Sequence, residues 1–334
     1  MKAAVFHAHG PIENLAVEDW PAPEPGPRDC LIRVEAVALN GFDPMILAGI
    51  PGLKTPLPMI PGADIAGTIV ACGAEVDGAR WRPGARVLVI PNRPDGMMGE
   101  TLRGGACELI AVDQDALLPL PDAVGAPQAA CLPVAYGAAR RMMVARGRVA
   151  AGETVLVLGA SGGVGTACVQ LAKAAGAEVI ACAGGAWKGE RLKALGADHV
   201  IDSTTQDFVA EVWRLRGKPS YRHGGGGVDV VVNYTGGESW ARSLRVLTRH
   251  GRLLTCGATA GYDPATDIRY IWSFELAIIG SNGWEREDLI ALLKMVAAGD
   301  LDPVIHARRP LAEIGVAMRE LVDRQVFGKQ VLEP

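Results

Sequence analysis

Hydrophobic and polar positions follow two different patterns along this chain. Up to residue 122, short apolar runs are separated by turns rich in proline and glycine, which predicts a β-rich unit. From residue 123 onward, strand-like runs alternate with segments of helical length, which predicts βαβ units and a parallel sheet covered on both faces. The strands predicted in the first part are Ala3–Phe6, Leu31–Ala38, Ile65–Cys72, Arg86–Ile90 and Ala106–Val112.

The second part begins with a predicted helix at Ala126–Val144. Its predicted strands are 154–159, 178–182, 199–201, 228–233, 251–257 and Ala277–Ser281. Helices at Arg286–Ala298 and Leu311–Asp323 and a strand at Lys329–Leu332 complete the chain. The basic stretch Arg214–Gly227 predicts a loop, either a phosphate-binding lid or a solvated connection, and its four consecutive glycines favour the connection.

A glycine-rich turn between the first strand and first helix of this alternation fits the dinucleotide fingerprint, with alanine replacing the first glycine. Gly162 lets the backbone approach a pyrophosphate, and Gly165 lets the helix pack closely on the strand. The helix N-terminus offers unpaired N–H groups to the phosphates. The predicted cofactor contacts in this turn are Ala160, Ser161, Gly162, Gly163 and Val164.

Length, charge and cysteine usage narrow the class of protein. The 334 residues suggest two domains, and a net charge of −4 argues against nucleic acid or an anionic membrane as the main partner. No apolar run is long enough for a membrane span, and the N-terminus does not resemble a signal peptide. The seven cysteines are scattered without a C-x-x-C pair, which predicts reduced thiols and a cytoplasmic location.

The whole chain resembles the medium-chain dehydrogenase/reductase superfamily. The motifs that carry the resemblance are ALNGFD at 38–43, PGADIAG at 61–67, GARV at 84–87, RGGACE at 103–108, GASGGVG at 159–165 and GADHVID at 196–202. The resemblance implies a doubly wound Rossmann sheet inserted in a GroES-like β-rich catalytic domain. The expected borders are 1–122 for the first part of the catalytic domain, 123–265 for the Rossmann domain and 266–334 for the return to the catalytic domain.

Zinc dehydrogenases of this superfamily hold a catalytic metal with a Cys three residues before an Asp and with a His-Glu pair after a Gly. This chain has Asn40 at the Cys position and Ala63-Asp64 at the His-Glu pair. Neither Asn nor Ala is a zinc ligand. The aligned third-ligand position is Ala130, the neighbouring Cys131 is interpreted as packing, and Asn92–Gly105 lacks the four cysteines of a structural zinc site. We therefore expect no zinc and no other metal.

The resemblance is to the zinc-independent, zeta-crystallin-like quinone oxidoreductase branch, whose members also carry Asn at the position of Asn40. Asn40 is a catalytic candidate because its amide can donate a hydrogen bond to a substrate oxygen, but it can equally cap its own backbone. Asp43 is the second candidate, although a structural role is favoured for it and for Asp64. No tyrosine precedes Tyr136, which excludes a tyrosine proton donor in the N-terminal part.

The end of the second predicted Rossmann strand favours NADPH. It reads Cys182-Ala183-Gly184-Gly185, without the acid that binds the ribose hydroxyls of NAD. Lys188 stands where zinc-free quinone reductases carry a phosphate-pairing lysine, although it can also be an ordinary surface cation. The remaining cofactor contacts implied by position are Gly184, Thr235, Gly257, Ala258, Ser281, Asn282 and Lys329.

The expected function is zinc-independent, NADPH-dependent hydride transfer to quinones, enones or other activated alkenes and carbonyls. The alternatives are a metal-free NAD(P)-dependent alcohol or aldehyde dehydrogenase and a weakly catalytic NADPH-binding protein. The apolar residues near Asn40 fit a small apolar or aromatic substrate, or are core: Phe42, Met45, Ile46, Leu47, Ile50 and Leu53. An apolar edge strand at Ala277–Ser281 predicts a homodimer or homotetramer.

Overall fold

The computed structural model describes residues 1–334 and contains seventeen β-strands and ten α-helices. Strands β1 to β17 are Lys2–Phe6, Leu15–Asp19, Asp29–Leu39, Asp64–Cys72, Arg86–Val89, Asn92–Arg93, Gly96–Met97, Leu109–Asp113, Leu117–Pro119, Thr154–Leu158, Glu178–Ala183, His199–Asp202, Val228–Val232, Leu247–Thr255, Ala277–Gly280, Ile305–Pro310 and Lys329–Glu333. Helices α1 to α10 are Asp43–Ala48, Ala126–Ala130, Gly137–Arg140, Gly163–Ala174, Ala186–Ala194, Phe208–Arg216, Glu238–Ser243, Ile268–Phe274, Arg286–Ala298 and Ile314–Val322.

The chain folds into two compact units, of which the first comprises Met1–Ala135 and Leu289–Pro334. Its main sheet has seven strands in the order β16-β17-β3-β4-β5-β9, with β8 also paired to β3. All pairs in this sheet are antiparallel except β16 with β17, which are parallel. The core of the unit is apolar, and its largest fully buried side chains include Phe6, Ile32, Leu39, Met59 and Ile65.

The second unit, Tyr136–Asp288, contains a six-stranded parallel sheet in the order β12-β11-β10-β13-β14-β15. Runs of β-branched residues and leucine form its central strands, and every residue of β10 is buried, as a sheet covered on both faces requires. The strand order reverses between β10 and β13. Ligands of open α/β sheets bind at such a reversal, outside the carboxyl ends of the strands. The predicted doubly wound sheet and β-rich unit are confirmed.

Several predicted elements differ in detail. The single helix predicted at Ala126–Val144 is interrupted in the structure. It consists of α2, a π-helical turn at Leu132–Tyr136, α3 and a second π-helical turn at Arg141–Arg146. Pro133 lies in the first π-helical turn and has no N–H to continue an α-helical ladder. The strand expected at Ala106–Val112 begins only at Leu109, and strands β2, β6, β7, β9 and β16 are absent from the prediction.

Both borders between the two compact units lie later in the chain than the expected borders. The structure changes from the first unit to the second between residues 135 and 136, and back between residues 288 and 289. Strand β15 lies beyond the expected border at residue 265, and it pairs in parallel with β14 as the sixth strand of the sheet of the second unit. None of the ten helices is long and apolar enough to cross a membrane.

Candidate active site

The turn after β10 fits a dinucleotide phosphate. Helix α4 begins after Gly162, and no side chain caps its N-terminus. A Cβ on Gly162 would meet only the Tyr234 hydroxyl at 3.6 Å and a carbonyl oxygen at 3.7 Å, so the surface above this turn is open to a ligand. A Cβ on Gly165 would lie 2.3 Å from the Gly159 carbonyl oxygen, so only glycine permits this approach of helix to strand.

Tyr234, which was not selected from the sequence, stabilises this turn by a hydrogen bond. The Tyr234 hydroxyl, which follows β13, donates to the Gly159 carbonyl at 2.5 Å. Burial raises the pKa of Tyr234 well above its ordinary value, so the hydroxyl stays protonated and keeps donating. Tyr234 directly follows the strand predicted at 228–233, and this position at the carboxyl end of a parallel strand is the signal that could have identified it.

The carboxyl ends of β14 and β15 line a cavity of about 800 Å³. Its lining includes Arg146, Gly257, Ala258, Ser281 and Asn282, so four of the predicted cofactor contacts lie together here. The Ser281 hydroxyl oxygen is buried and has no hydrogen-bond partner, which leaves a polar group for a bound ligand. The open α4 terminus and this hydroxyl together fit a nicotinamide dinucleotide.

Thr235 is placed differently from these residues. Its hydroxyl bonds the Asn233 side-chain oxygen at 2.8 Å and the Ser239 hydroxyl at 3.0 Å. Asn233 is fully buried and also accepts from the Thr235 backbone N–H at 3.0 Å. The Thr235 side chain therefore holds the turn after β13 through an internal network.

A carboxylate from a neighbouring strand, not predicted from the sequence, is hydrogen-bonded to the turn after β11. Asp202, at the end of the neighbouring β12, accepts at one oxygen from the Gly185 N–H at 2.9 Å. The same oxygen accepts from the Thr204 N–H at 2.9 Å and from the Thr204 hydroxyl at 2.6 Å. These donors, with the Thr204 hydroxyl first, lower the pKa of Asp202 and keep it ionised.

Lys188 lies in the first turn of α5, four residues after Gly184. It is only 6 % exposed, and its Nζ lies 5.3 Å from the centre of the Trp187 ring. The Arg191 guanidinium lies 5.8 Å from the same ring, whose residue is 44 % exposed. The Lys188 side chain is thus packed beside the aromatic ring of Trp187.

In the first unit, sheet pairing joins four polar residues from distant parts of the chain. Asn40 follows β3, Asp43 opens α1, Asp64 opens β4 and Lys329 opens β17. β3 pairs with β4 at Ala38–Asp64, and with β17 at Leu39–Gln330. All four residues are buried, Asn40 being the most exposed at 6 %. We refer to Asn40, Asp43, Asp64 and Lys329 as the polar cluster.

Hydrogen bonds connect the members of the polar cluster. The Lys329 ammonium donates to the Asn40 side-chain oxygen and, at 3.0 Å, to Asp64 Oδ2. Asn40 Nδ2 donates to the same Asp64 oxygen at 3.0 Å, and the other Asp64 oxygen accepts from the Val134 N–H at 3.0 Å. Burial raises the pKa of Asp64, and the Lys329 charge opposes that rise.

Asp43 holds the loop that carries Asn40. It accepts from the Asn40 backbone N–H at 2.6 Å and from the Gly62 N–H at 3.0 Å. Burial raises the pKa of Asp43 to about 7, with these two hydrogen bonds opposing the rise. Asp43 therefore fixes Asn40 through the backbone.

The polar cluster does not fit a zinc ion. An amide at Asn40 and a methyl group at Ala63 stand at the family's ligand positions, and the Asp64 oxygens are occupied by N–H donors. The Cys131 thiol donates to the Pro127 carbonyl at 3.2 Å, and burial raises its pKa to about 12. The positive charge in the polar cluster is therefore the Lys329 ammonium and not a metal ion.

The apolar residues near Asn40 divide between the two roles left open for them. Ile46 and Leu47 are buried in the core of the first unit. Phe42, Ile50 and Leu53 pack partly against that core, and Met45 is 46 % exposed. Met45 is therefore the most exposed of these six apolar residues.

Comparison with known proteins gives two family matches along the chain. Residues 26–122 match the alcohol dehydrogenase GroES-like domain, and residues 163–298 match the zinc-binding dehydrogenase family. The mouse (Mus musculus) quinone oxidoreductase is 29 % identical over 336 residues, covering 98 % of this chain and 96 % of the relative. The crotonyl-CoA reductase of Streptomyces collinus is 28 % identical over 353 residues, covering 92 % of this chain and 78 % of the relative.

A solved structure described as an NAD-dependent alcohol dehydrogenase has the same fold. It superposes with a TM-score of 0.90 at 34 % identity, and the match covers 100 % of both chains. This similarity extends over both units and supports the superfamily assignment drawn from the motifs.

Proposed function

Since the chain belongs to the medium-chain dehydrogenase/reductase superfamily, on its quinone oxidoreductase-like branch, we propose that it reduces quinones, enones or other activated alkenes with NADPH and without zinc. The observation that carries this proposal is the polar cluster, in which Asn40 and Ala63 stand at the metal-ligand positions and the Lys329 ammonium supplies the positive charge. Oxidation of an unactivated alcohol requires stabilisation of an alkoxide, for which the family uses a metal. Reduction of an activated substrate forms an enolate or hydroquinone anion, which hydrogen-bond donors can stabilise.

The residues of the second unit are suited to hold the cofactor, which when bound supplies the hydride. The first N–H groups of α4 would bind the pyrophosphate, and the Ser281 hydroxyl would bind a polar group of the nicotinamide end. Tyr234 holds Gly159 in place below the phosphate turn. Thr235 would act through the turn it supports, and Lys329, also selected from the sequence as a cofactor contact, is assigned to the polar cluster instead.

Asn40 would donate a hydrogen bond to the substrate oxygen that gains negative charge. One of its two amide protons is used by Asp64, and the other has no partner within the structure. Asp43 and Asp64 hold the backbone and the side chain of Asn40, so the donor is already oriented before substrate binds. Met45, two residues after Asp43, is an exposed apolar side chain that would suit a small apolar or aromatic substrate.

NADPH is proposed over NADH because of the turn after β11. Gly184 has no side chain, and Lys188 lies in the first turn of the next helix, α5. Asp202 is the one carboxylate bonded to this turn, and one of its oxygens is occupied by Gly185 and Thr204. We interpret Asp202 as a support of the turn and Lys188 as the partner of the 2′-phosphate.

A metal-free alcohol dehydrogenase is the second candidate. It is favoured by the 34 % identity to a structure described as an NAD-dependent alcohol dehydrogenase. The two candidates differ in direction and substrate, so one set of assays separates them.

The test is a substrate panel monitored by cofactor absorbance. Ortho- and para-quinones, enones and activated alkenes are offered with NADPH or NADH, and primary and secondary alcohols are offered with the oxidised cofactors. We expect turnover with NADPH and at least one quinone or enone, and a loss of about 10²- to 10³-fold in kcat for Asn40→Ala. The control Asn92→Ala changes an exposed asparagine of the same unit and should retain the wild-type rate. Turnover of alcohols alone would replace the first candidate by the second.

A further inference from the structure

We propose that Lys329 polarises the Asn40 amide, so that one buried ammonium strengthens the hydrogen bond that Asn40 gives to a substrate oxyanion. Lys329 is then a positioning and polarising residue that acts through Asn40. The inference rests on the proposed function for the identity of the substrate, but the contacts that support it belong to the first unit alone.

The orientation of the Asn40 amide is determined by its partners. An ammonium can only donate, so the atom of Asn40 that faces Lys329 is the carbonyl oxygen. Asp64 Oδ2 accepts from the other end of the amide at 3.0 Å, which identifies that end as the nitrogen. Both contacts require the same orientation, and the reversed amide would lose both.

The donors of the polar cluster show which group is left for a ligand. Lys329 uses two of its three protons on Asn40 and Asp64, and it is 2 % exposed. Asn40 uses one of its two amide protons on Asp64 and is 6 % exposed. Each residue keeps one proton without a partner, and Asn40 is the more exposed of the two.

The physical consequence is a chain of hydrogen bonds that begins at a full positive charge. Donation by Lys329 to the amide oxygen draws electrons from the amide nitrogen, which makes the second Nδ2–H a stronger donor. The negative charge of Asp64, which accepts from the other Nδ2–H, would oppose this polarisation of the amide if it acted on Asn40 alone. However, its two oxygens also accept from Lys329 and Val134, which spreads the charge over three donors.

A different explanation is that Lys329 merely neutralises buried Asp64, and a paired substitution separates the two. Lys329→Met alone would leave Asp64 as an uncompensated buried carboxylate and risks misfolding. The double variant Asp64→Asn, Lys329→Met removes both charges together while leaving an amide to accept from Asn40. The matched control is Asp198→Asn, Lys173→Met, which removes a lysine–aspartate pair of the second unit with a 2.8 Å contact.

The probe is 4-nitrophenol, whose phenolate mimics a substrate oxyanion and absorbs differently from the neutral phenol. Binding is measured in the presence of NADP⁺, and nitrobenzene serves as the uncharged probe. We expect wild type to favour the phenolate, and the Asp64→Asn, Lys329→Met variant to bind phenolate about ten- to a hundredfold more weakly, the range for a hydrogen bond to a charged group. Nitrobenzene affinity should be equal in all three proteins. The control pair should behave as wild type.

A second measurement needs no ligand. With ¹⁵N-labelled asparagine, the side-chain amide protons of Asn40 should resonate downfield in wild type relative to the double variant, assigned through Asn40→Asp. No phenolate preference in wild type, or an equal preference in wild type and the double variant, would overturn the proposal. Binding of 4-nitrophenol does not involve its reduction. A failure of the proposed reductase activity would therefore show only in the turnover assay.

Discussion

Asp43 gives a prediction about stability that depends on pH. In the folded protein, burial raises its pKa to about 7 from an ordinary value of 3.8. Between these two values, the folded state keeps the proton while the unfolded state releases it. Folding stability therefore falls as pH rises from about 4 to about 7, and the carboxyl contributes no further change above that range.

The magnitude can be worked out from the same two values. The full difference corresponds to roughly 4 kcal/mol, because one pH unit is worth about 1.4 kcal/mol. Between pH 5 and pH 8, Asp43 should lower the free energy of unfolding by about 3 kcal/mol. Asp43→Asn removes this dependence, but its side chain has one acceptor oxygen for two backbone donors, Asn40 and Gly62. Leaving one of them unpaired costs about 1–3 kcal/mol at every pH.

Urea denaturation monitored by circular dichroism at pH 5 and pH 8 measures both effects. We expect Asp43→Asn to be less stable than wild type at pH 5 and to lose about 3 kcal/mol less on going to pH 8. Asp122→Asn, at an exposed carboxylate of the same unit, should keep the wild-type dependence. If wild type and Asp43→Asn lose the same stability between the two pH values, the carboxyl of Asp43 does not titrate in this range and the reasoning is refuted.

Three further predictions concern the cofactor, the metal and assembly. Lys188→Ala should weaken NADPH binding about ten- to a hundredfold and leave NADH binding nearly unchanged, with the exposed Lys193→Ala as control; fluorescence titration that finds equal NADPH and NADH affinities in wild type would contradict it. Purified protein should hold no stoichiometric zinc and should be insensitive to chelators, and one tightly bound zinc per chain by elemental analysis would refute this. We also predict a homodimer or homotetramer through β15, so Ile278→Lys should yield monomers in light scattering while the exposed Val316→Lys does not; a monomeric wild type at micromolar concentration would count against it.

The turn after β10 could be predicted because its information is local. Strand, glycines and helix succeed one another within about two dozen residues, and each small residue has a steric reason that the sequence alone supplies. The six parallel strands were predicted for a similar reason, since their apolar runs are separated by helical segments. Strand β16 was missed because Ile305–Pro310 contains a histidine and two arginines and lacks an apolar run.

The polar cluster could be predicted only in part, because its pairing is not local. The sequence identified Asn40 and Asp43, and the resemblance implied Lys329 only as a cofactor contact. The structure instead places the Lys329 ammonium on Asn40 and Asp64, through the pairing of β17 with β3. Asp202 shows the same limit, since it reaches the turn after β11 from a neighbouring strand. The cofactor roles, the dimer and the cytoplasmic location stay predictions.

The division of the first unit between two chain segments has a consequence for biosynthesis. The second unit is a continuous stretch, Tyr136–Asp288, and can fold while the ribosome is still synthesising the C-terminal segment. The first unit lacks β17 at that stage, so Asp43 and Asp64 have been made without the lysine that compensates them. Only after residue 329 leaves the ribosome can β3 acquire this neighbour and the ammonium enter. A nascent chain stalled before that point would bury Asp64 without its cation, and the pairing of β17 with β3 would supply the lysine.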